Sequence, residues 1–254
     1  DEQRRLTLVQ ELVEEHGEEA GQTLLRAYDE QRFNPHTRGE EQGVQGEYLV
    51  LRSAAGCDLG AWSRGEIQGE ELKSLGLVAF RNITTSRLLD ALGSGDCVSF
   101  MEQDVYTQSD PEVSIEFTPV TLLRDQEEAK SKPPWGIDSL DGKLDDTYHR
   151  GFYNGQGVDV YIMDTGIDKN HEELQGRVGD GIDFTDASPG STQDEQGHGT
   201  HCAGTVAGTN VGVAPGARVV PLKVLRADGA GKASWGLRAW NFLLQERARR
   251  VKNR

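Results

Sequence analysis

In the run Gly197-His198-Gly199-Thr200-His201-Cys202-Ala203-Gly204-Thr205-Val206-Ala207-Gly208, only the two histidines carry a side chain larger than valine. Such a stretch predicts a helix over 198–207 that can lie very close to a neighbouring surface, because almost nothing projects from it. Upstream, Gly157 to Met163 is an apolar, β-rich run that reads as a buried strand and stops abruptly at Asp164-Thr165-Gly166. Arg218 to Leu225 is a second strand, and Ser234 reads as the N-cap of a helix running towards Arg247. Strand, small-residue helix, strand in this order predicts an α/β region whose parallel sheet is covered on both faces.

The chemistry follows from where these elements put two side chains. Asp164 sits at the carboxyl end of a strand, the edge of an open parallel sheet where catalytic groups gather. A carboxylate there can accept the Nδ1–H of an imidazole, or it can simply cap the next turn. His198 stands between two glycines at a helix start. The helix dipole there disfavours the imidazolium and suits a neutral general base. His198 and His201 are three apart on one helix, but no glutamate lies between them and no carboxylate cluster follows at zinc spacing, so no metal site is assigned.

Asp164 in Tyr161-Ile162-Met163-Asp164-Thr165-Gly166-Ile167, and His198 in the glycine-rich run, resemble the aspartate and histidine motifs of the subtilisin-like serine proteases (subtilases, peptidase family S8). The order, aspartate before histidine, matches that family. Cys202 is similar to the free cysteine beneath the histidine in the proteinase K branch, and the short connection Thr209 to Pro215 also suits that branch. The resemblance implies a serine endopeptidase precursor acting on polypeptides through an Asp-His-Ser relay. Asp164 would orient His198, and His198 would act as general base and then as general acid. Val219 to Leu225 resembles the strand before the substrate groove. Gly229, Ala230 and Gly231 resemble the segment whose backbone pairs with an extended peptide, with an ordinary surface turn as the alternative. No cofactor is expected. The complete family domain can hold calcium, but subtilisins that bind it after the histidine helix carry a longer loop than 209–215, so no site is identifiable here.

The chain divides by texture into 1–46, an acidic helical segment and linker; 47–108, a small α+β unit; 109–132, a polar connector; and 133–254, the α/β region. In the first segment the spacing of Leu6, Val9, Leu12, Val13, Leu24, Leu25 and Tyr28 suggests an amphipathic helix weakened by Gly17 and Gly21, and a solvated acidic helix or tail is the favoured alternative. Within 47–108, strands over 47–52, 76–80 and 97–106 flank a helix over 85–92 that stops at Gly93. This unit resembles the inhibitor-type prosegment of subtilases, which implies a ferredoxin-like fold and a role as intramolecular inhibitor. The fold class expected is therefore a small α+β prosegment followed by a parallel-sheet subtilisin-like domain.

The relay lacks its third member. After His198 the one serine is Ser234, in Lys232-Ala233-Ser234-Trp235-Gly236, which does not resemble the family's nucleophile string. The asparagine that donates to the oxyanion is absent too. The resemblance thus implies a C-terminally incomplete domain that does not itself hydrolyse peptides. A truncated product acting as a protease-binding or inhibitory module is the alternative. A net charge of −15 argues against nucleic acid or an anionic membrane as partner. No apolar run is long enough to span a bilayer. The family implies a secreted or endomembrane protein. A Cys57–Cys97 disulfide is conceivable on count alone, and Asn82-Ile83-Thr84 is a glycosylation sequon that matters only in a secreted protein.

Overall fold

The computed structural model describes residues 9–10, 13–14, 17–34, 43–52, 68–93, 98–109, 132–149, 153–186 and 191–252. Cys57, Cys97 and nearly all of the connector lie outside them. The chain forms two compact units, residues 1–107 with 232–254, and residues 108–231.

The first unit begins with α1 (Glu18–Asp29) and the two-residue strand β1 (Phe33–Asn34). Then come β2 (Gly43–Arg52), β3 (Gln68–Leu72), β4 (Leu77–Arg81), α2 (Thr85–Gly93) and β5 (Val98–Gln108). The sheet order is β1-β5-β2-β4-β3. β2 is antiparallel to both neighbours, with Val50 opposite Val78 and Met101. The order β5-β2-β4-β3 is compatible with a ferredoxin-like arrangement. The segment 53–67, where its other crossover helix would fall, is outside the described residues.

The reading of the N-terminal helix as solvated is corrected here. Leu24, Leu25 and Ala27 are buried in one cluster with Phe33, Tyr48, Val50, Phe80, Leu88 and Met101. Gly21 lets Val13 approach the helix closely, since a Cβ there would lie 2.9 Å from the Cα of Val13. Asn34, assigned to the linker, instead pairs in register with Glu102 and donates from Nδ2 to its carboxylate at 2.8 Å.

The first unit also contains the last helix, α5 (Ala233–Lys252), which sequence texture had grouped with the α/β region. Ser234 does not cap it. Ser234 lies inside the first turn and its amide donates to Asp104 Oδ1 of β5 at 3.0 Å, so the capping oxygen comes from 130 positions earlier. Burial pushes the Asp104 carboxyl up from its ordinary value, and the nearby Glu47 charge adds to that, against the Ser234 hydrogen bonds. Arg238 pairs with Glu70 at 2.7 Å, and Lys232 with Glu47 at 2.8 Å.

The second unit contains the short helix α3 (Trp135–Asp138) and is built on the parallel strands β6 (Asp159–Asp164), β7 (Ile182–Asp183) and β8 (Arg218–Lys223), in the order β6-β8-β7. Helix α4 (His198–Ala207) crosses between β6 and β8, as its small side chains predict. Ala203 and Ala207 are fully buried with Ile167, Leu174 and Val219. Contrary to expectation β6 is half-buried along its length, and only Asp164 is buried outright. Among the described strands it pairs on one side alone, with β8.

Replacing Leu24, fully buried, with Ala should destabilise the first unit by about 2–5 kcal/mol, as large-to-small core substitutions do. Urea denaturation measures this, and an unchanged midpoint would restore the solvated-helix reading.

Candidate active site

The end of β6 and the start of α4 are brought together by close backbone contact. Gly166 has φ +113°, a conformation that favours glycine, and a Cβ there would lie 2.6 Å from the Thr192 carbonyl oxygen. A Cβ on Gly199 would fall 2.2 Å from the Gly166 oxygen and 3.1 Å from the Asp164 Cβ. Glycine at both positions is what lets the first turn of α4 press onto the turn after β6.

His198 Nδ1 consequently lies 2.9 Å from Oδ1 and 2.8 Å from Oδ2 of Asp164. Asp164 is buried and also accepts the Thr165 amide at 2.7 Å. An ionised carboxylate only accepts, so Nδ1 carries the proton and Nε2 is the unprotonated nitrogen of the neutral ring. Cys202, one helical turn on, has its Sγ 3.9 Å from the same Nδ1.

Asp194 completes the arrangement and was not singled out in the sequence. Its Oδ1 accepts the Thr165 hydroxyl at 2.8 Å and the amides of Gln196 and Gly197 at 3.0 and 2.9 Å. Its Oδ2 accepts the Thr200 amide and hydroxyl at 2.9 and 2.7 Å. Burial works to raise this carboxyl, but the donors from Gly197, Thr200 and Gln196 outweigh it and hold it at about 2. The available signal was an aspartate four positions before His198, the spacing of a side chain that collects amides at a helix start. Thr165 Oγ1 in turn accepts the Gly199 amide at 2.9 Å.

The other residues read from sequence fall elsewhere. Gly229, Ala230 and Gly231 form the tip and return of a hairpin, with Gly229 at φ +76°. Arg226 N–H donates to the Ala230 carbonyl at 2.8 Å, and Ala230 N–H to Asp228 Oδ1 at 3.0 Å, so the turn uses these amides itself. The Gly229 carbonyl faces outward and accepts the Ser109 amide at 2.9 Å. The hairpin springs from the site, since Val224 and Leu225 donate to the Asp164 carbonyl at 2.9 and 3.2 Å.

Among the described residues, the one group of three or more ligand-type side chains close enough to share an ion is Asp164, His198 and Cys202. The loop after α4 does not fit calcium. The Glu173 carboxylate is taken up by the amide and side chain of Asn210 at 2.7 and 2.9 Å. The Arg177 guanidinium occupies the carbonyls of Ala207 and Glu173 and the Thr209 hydroxyl, filling with its own charge the place of a cation.

Residues 155–253 match the model of the Subtilase family. Subtilisin-like protease 6 of Trichophyton soudanense is 31% identical over 227 residues, 88% of this chain and 50% of that protein. The Extracellular serine proteinase of Thermus sp. is 35% identical over 175 residues, 66% of this chain and 40% of its own. A cold adapted subtilisin-like serine proteinase of known structure shares 41% identity over 41% of this chain and 39% of that one, with a TM-score of 0.39. The chain spans half the length of the Trichophyton relative and less of the Thermus one.

Asp194 supplies stability that is present above its ordinary pKa of 3.8 and is lost as pH falls towards 2. Asp194→Asn should therefore remove about 2 kcal/mol of the difference in unfolding free energy between pH 5 and pH 2. Urea titrations at the two pH values read this directly, and an unchanged difference would contradict the assignment.

Proposed function

We propose that the chain is part of a serine endopeptidase precursor of the subtilase family, whose model residues 155–253 match, and that it carries the aspartate and histidine of the relay. The observation that supports this most is the 2.8 Å approach of His198 Nδ1 to the buried Asp164 carboxylate. In the proposed reaction Asp164 fixes the imidazole tautomer and steadies the imidazolium. His198 Nε2 takes the proton of a serine hydroxyl as that oxygen attacks a peptide carbonyl, then returns it to the leaving amine.

The one serine after His198 does not suit that role. Ser234 is buried in the first unit and its amide is engaged by Asp104. The nucleophile is proposed to come from a further segment, and the 254-residue chain alone is proposed to be inactive. The substrates are polypeptides, and the route is secretory or endomembrane. Among the described residues no helix is long and apolar enough to cross a membrane.

Residues 47–108 are proposed as the prosegment, with 1–46 before it, 109–132 as connector and 133–254 as the catalytic portion. Within the second unit, Ser109 N–H donates to the Gly229 carbonyl, and Gln108 Nε2 donates to that of Asp228 at 3.0 Å, so this hairpin can accept hydrogen bonds from a neighbouring segment as a substrate groove would. In the second reading the chain as it stands is a protease-binding or inhibitory module.

Joined to the serine-bearing part of a relative such as the Thermus proteinase, the chain should hydrolyse peptides. His198→Ala should then cut kcat by about six orders of magnitude, the scale set by subtilisin. Retained turnover would defeat the assignment. For the second reading, the full chain should inhibit an intact subtilase at nanomolar concentration, and no inhibition at micromolar concentration would sink it.

A further inference from the structure

We propose that Lys223 is a positioning residue for the Asp164–His198 pair, a buried ammonium that pins the aspartate arm and the histidine arm to one point. The proposal rests on the relay reading above. Lys223 is the last residue of β8 and the register partner of Asp164 across the parallel pair. Its side chain is only 4% exposed. Lysine is almost never fully buried unless its charge is satisfied, and an apolar side chain of similar volume would occupy such a place at far lower cost.

The partners of the ammonium account for the cost. Nζ donates to the Thr165 carbonyl at 2.5 Å and to the Gln193 carbonyl at 3.1 Å, and Glu195 Oε2 approaches to 3.9 Å. An ammonium has three donors. Two are spent on backbone carbonyls and the third points towards a largely exposed carboxylate. Thr165 directly follows Asp164. Gln193 directly precedes Asp194, whose carboxylate holds the amides at the entry to α4 and so sets where His198 begins. Lys223 thus ties together the two segments whose separation fixes the Nδ1–carboxylate distance.

Thr165, fully buried, is where the two charged ties meet. Its carbonyl accepts from Lys223 and its hydroxyl donates to Asp194. With a cation on one side and an anion on the other, the turn after Asp164 has no freedom to slide along the sheet. Catalytic groups tolerate displacements of only about 0.5 Å, and a misplacement near 1 Å costs about a hundredfold in rate. Lys223 acts through this alignment and touches neither reacting atom.

The test uses the 254-residue chain and the far-downfield proton NMR resonance of His198 Nδ1–H. This signal depends on the hydrogen bond to Asp164 and not on folding as such. In the wild-type chain the resonance should be resolved and slow to exchange. Lys223→Met fills the same space without donors and should lose the resonance or exchange it at least tenfold faster, while urea unfolding stays cooperative. Lys223→Arg, whose fork can still span two carbonyls, should retain it. As a control, Val219→Ala weakens the same core and should leave the resonance in place. If Lys223→Met does not fold cooperatively, Lys223→Gln, whose shorter amide can reach one carbonyl at most, decides by the same tenfold criterion. A wild-type exchange rate in the folded Met or Gln variant would overturn the proposal, as would equal loss in Val219→Ala. Absence of the resonance from the wild-type chain would overturn the relay reading itself.

Discussion

The second unit is organised around one closure, the meeting of His198 Nδ1 with the buried Asp164 carboxylate across 34 positions of sequence. A single hydrogen bond is worth only about 1 kcal/mol, roughly doubled when one partner is charged, so it cannot draw two backbone segments together unaided. The glycines make the approach sterically possible. Gly166 turns the chain out of β6, and Gly199 lets α4 sit directly on that turn. Asp194 and Lys223 then hold what the glycines allow, one through side-chain and amide donors at the helix start, the other through backbone carbonyls. Both reach the same residue, Thr165, so the position of the carboxylate is set by charges lying behind it. Burial of Asp164 follows from the same packing and suits a group meant to hold a proton in place rather than to exchange it with water.

In the first unit a different polar contact organises packing. Asp104 on β5 accepts an amide from the first turn of α5, where four N–H groups have no partner within the helix. The ion pairs Lys232–Glu47 and Arg238–Glu70, with Ser74 N–H donating to Asn241 Oδ1 at 2.9 Å, continue the match along the helix. A sheet that offers a carboxylate to a helix start and further carboxylates to its basic side chains is built to receive that helix.

Much of this was legible in the sequence, for local reasons. The strand ending at Asp164 and the helix beginning at His198 are encoded by contiguous strings, an apolar run and a run of small residues, and both elements occur where those strings place them. What escaped was set by distant partners. Asp194 and Lys223 are ordinary charged residues in the sequence, and their importance appears only when the carbonyls and amides around them are known. Ser234 had the identity of a cap, but a carboxylate from β5 took the position first. β3, Gln-Gly-Glu-Glu-Leu, carries no β-branched residue and exposes Gly69, Glu70 and Glu71 while burying Leu72, so its extended form is imposed by pairing with β4 rather than by its own propensity. The N-terminal helix misled through composition: its acidic residues face solvent, while Leu24 and Leu25 are hidden in the core.

The central claim is that residues 108–231 hold the Asp164–His198 pair assembled in the 254-residue chain, with the ring proton on Nδ1. The most direct test is the tautomeric state of His198, read from its two ring nitrogen shifts by ¹⁵N NMR at neutral pH. The account predicts a protonated Nδ1 and a bare Nε2. A ring protonated at Nε2, or one averaging between the two forms, would contradict it.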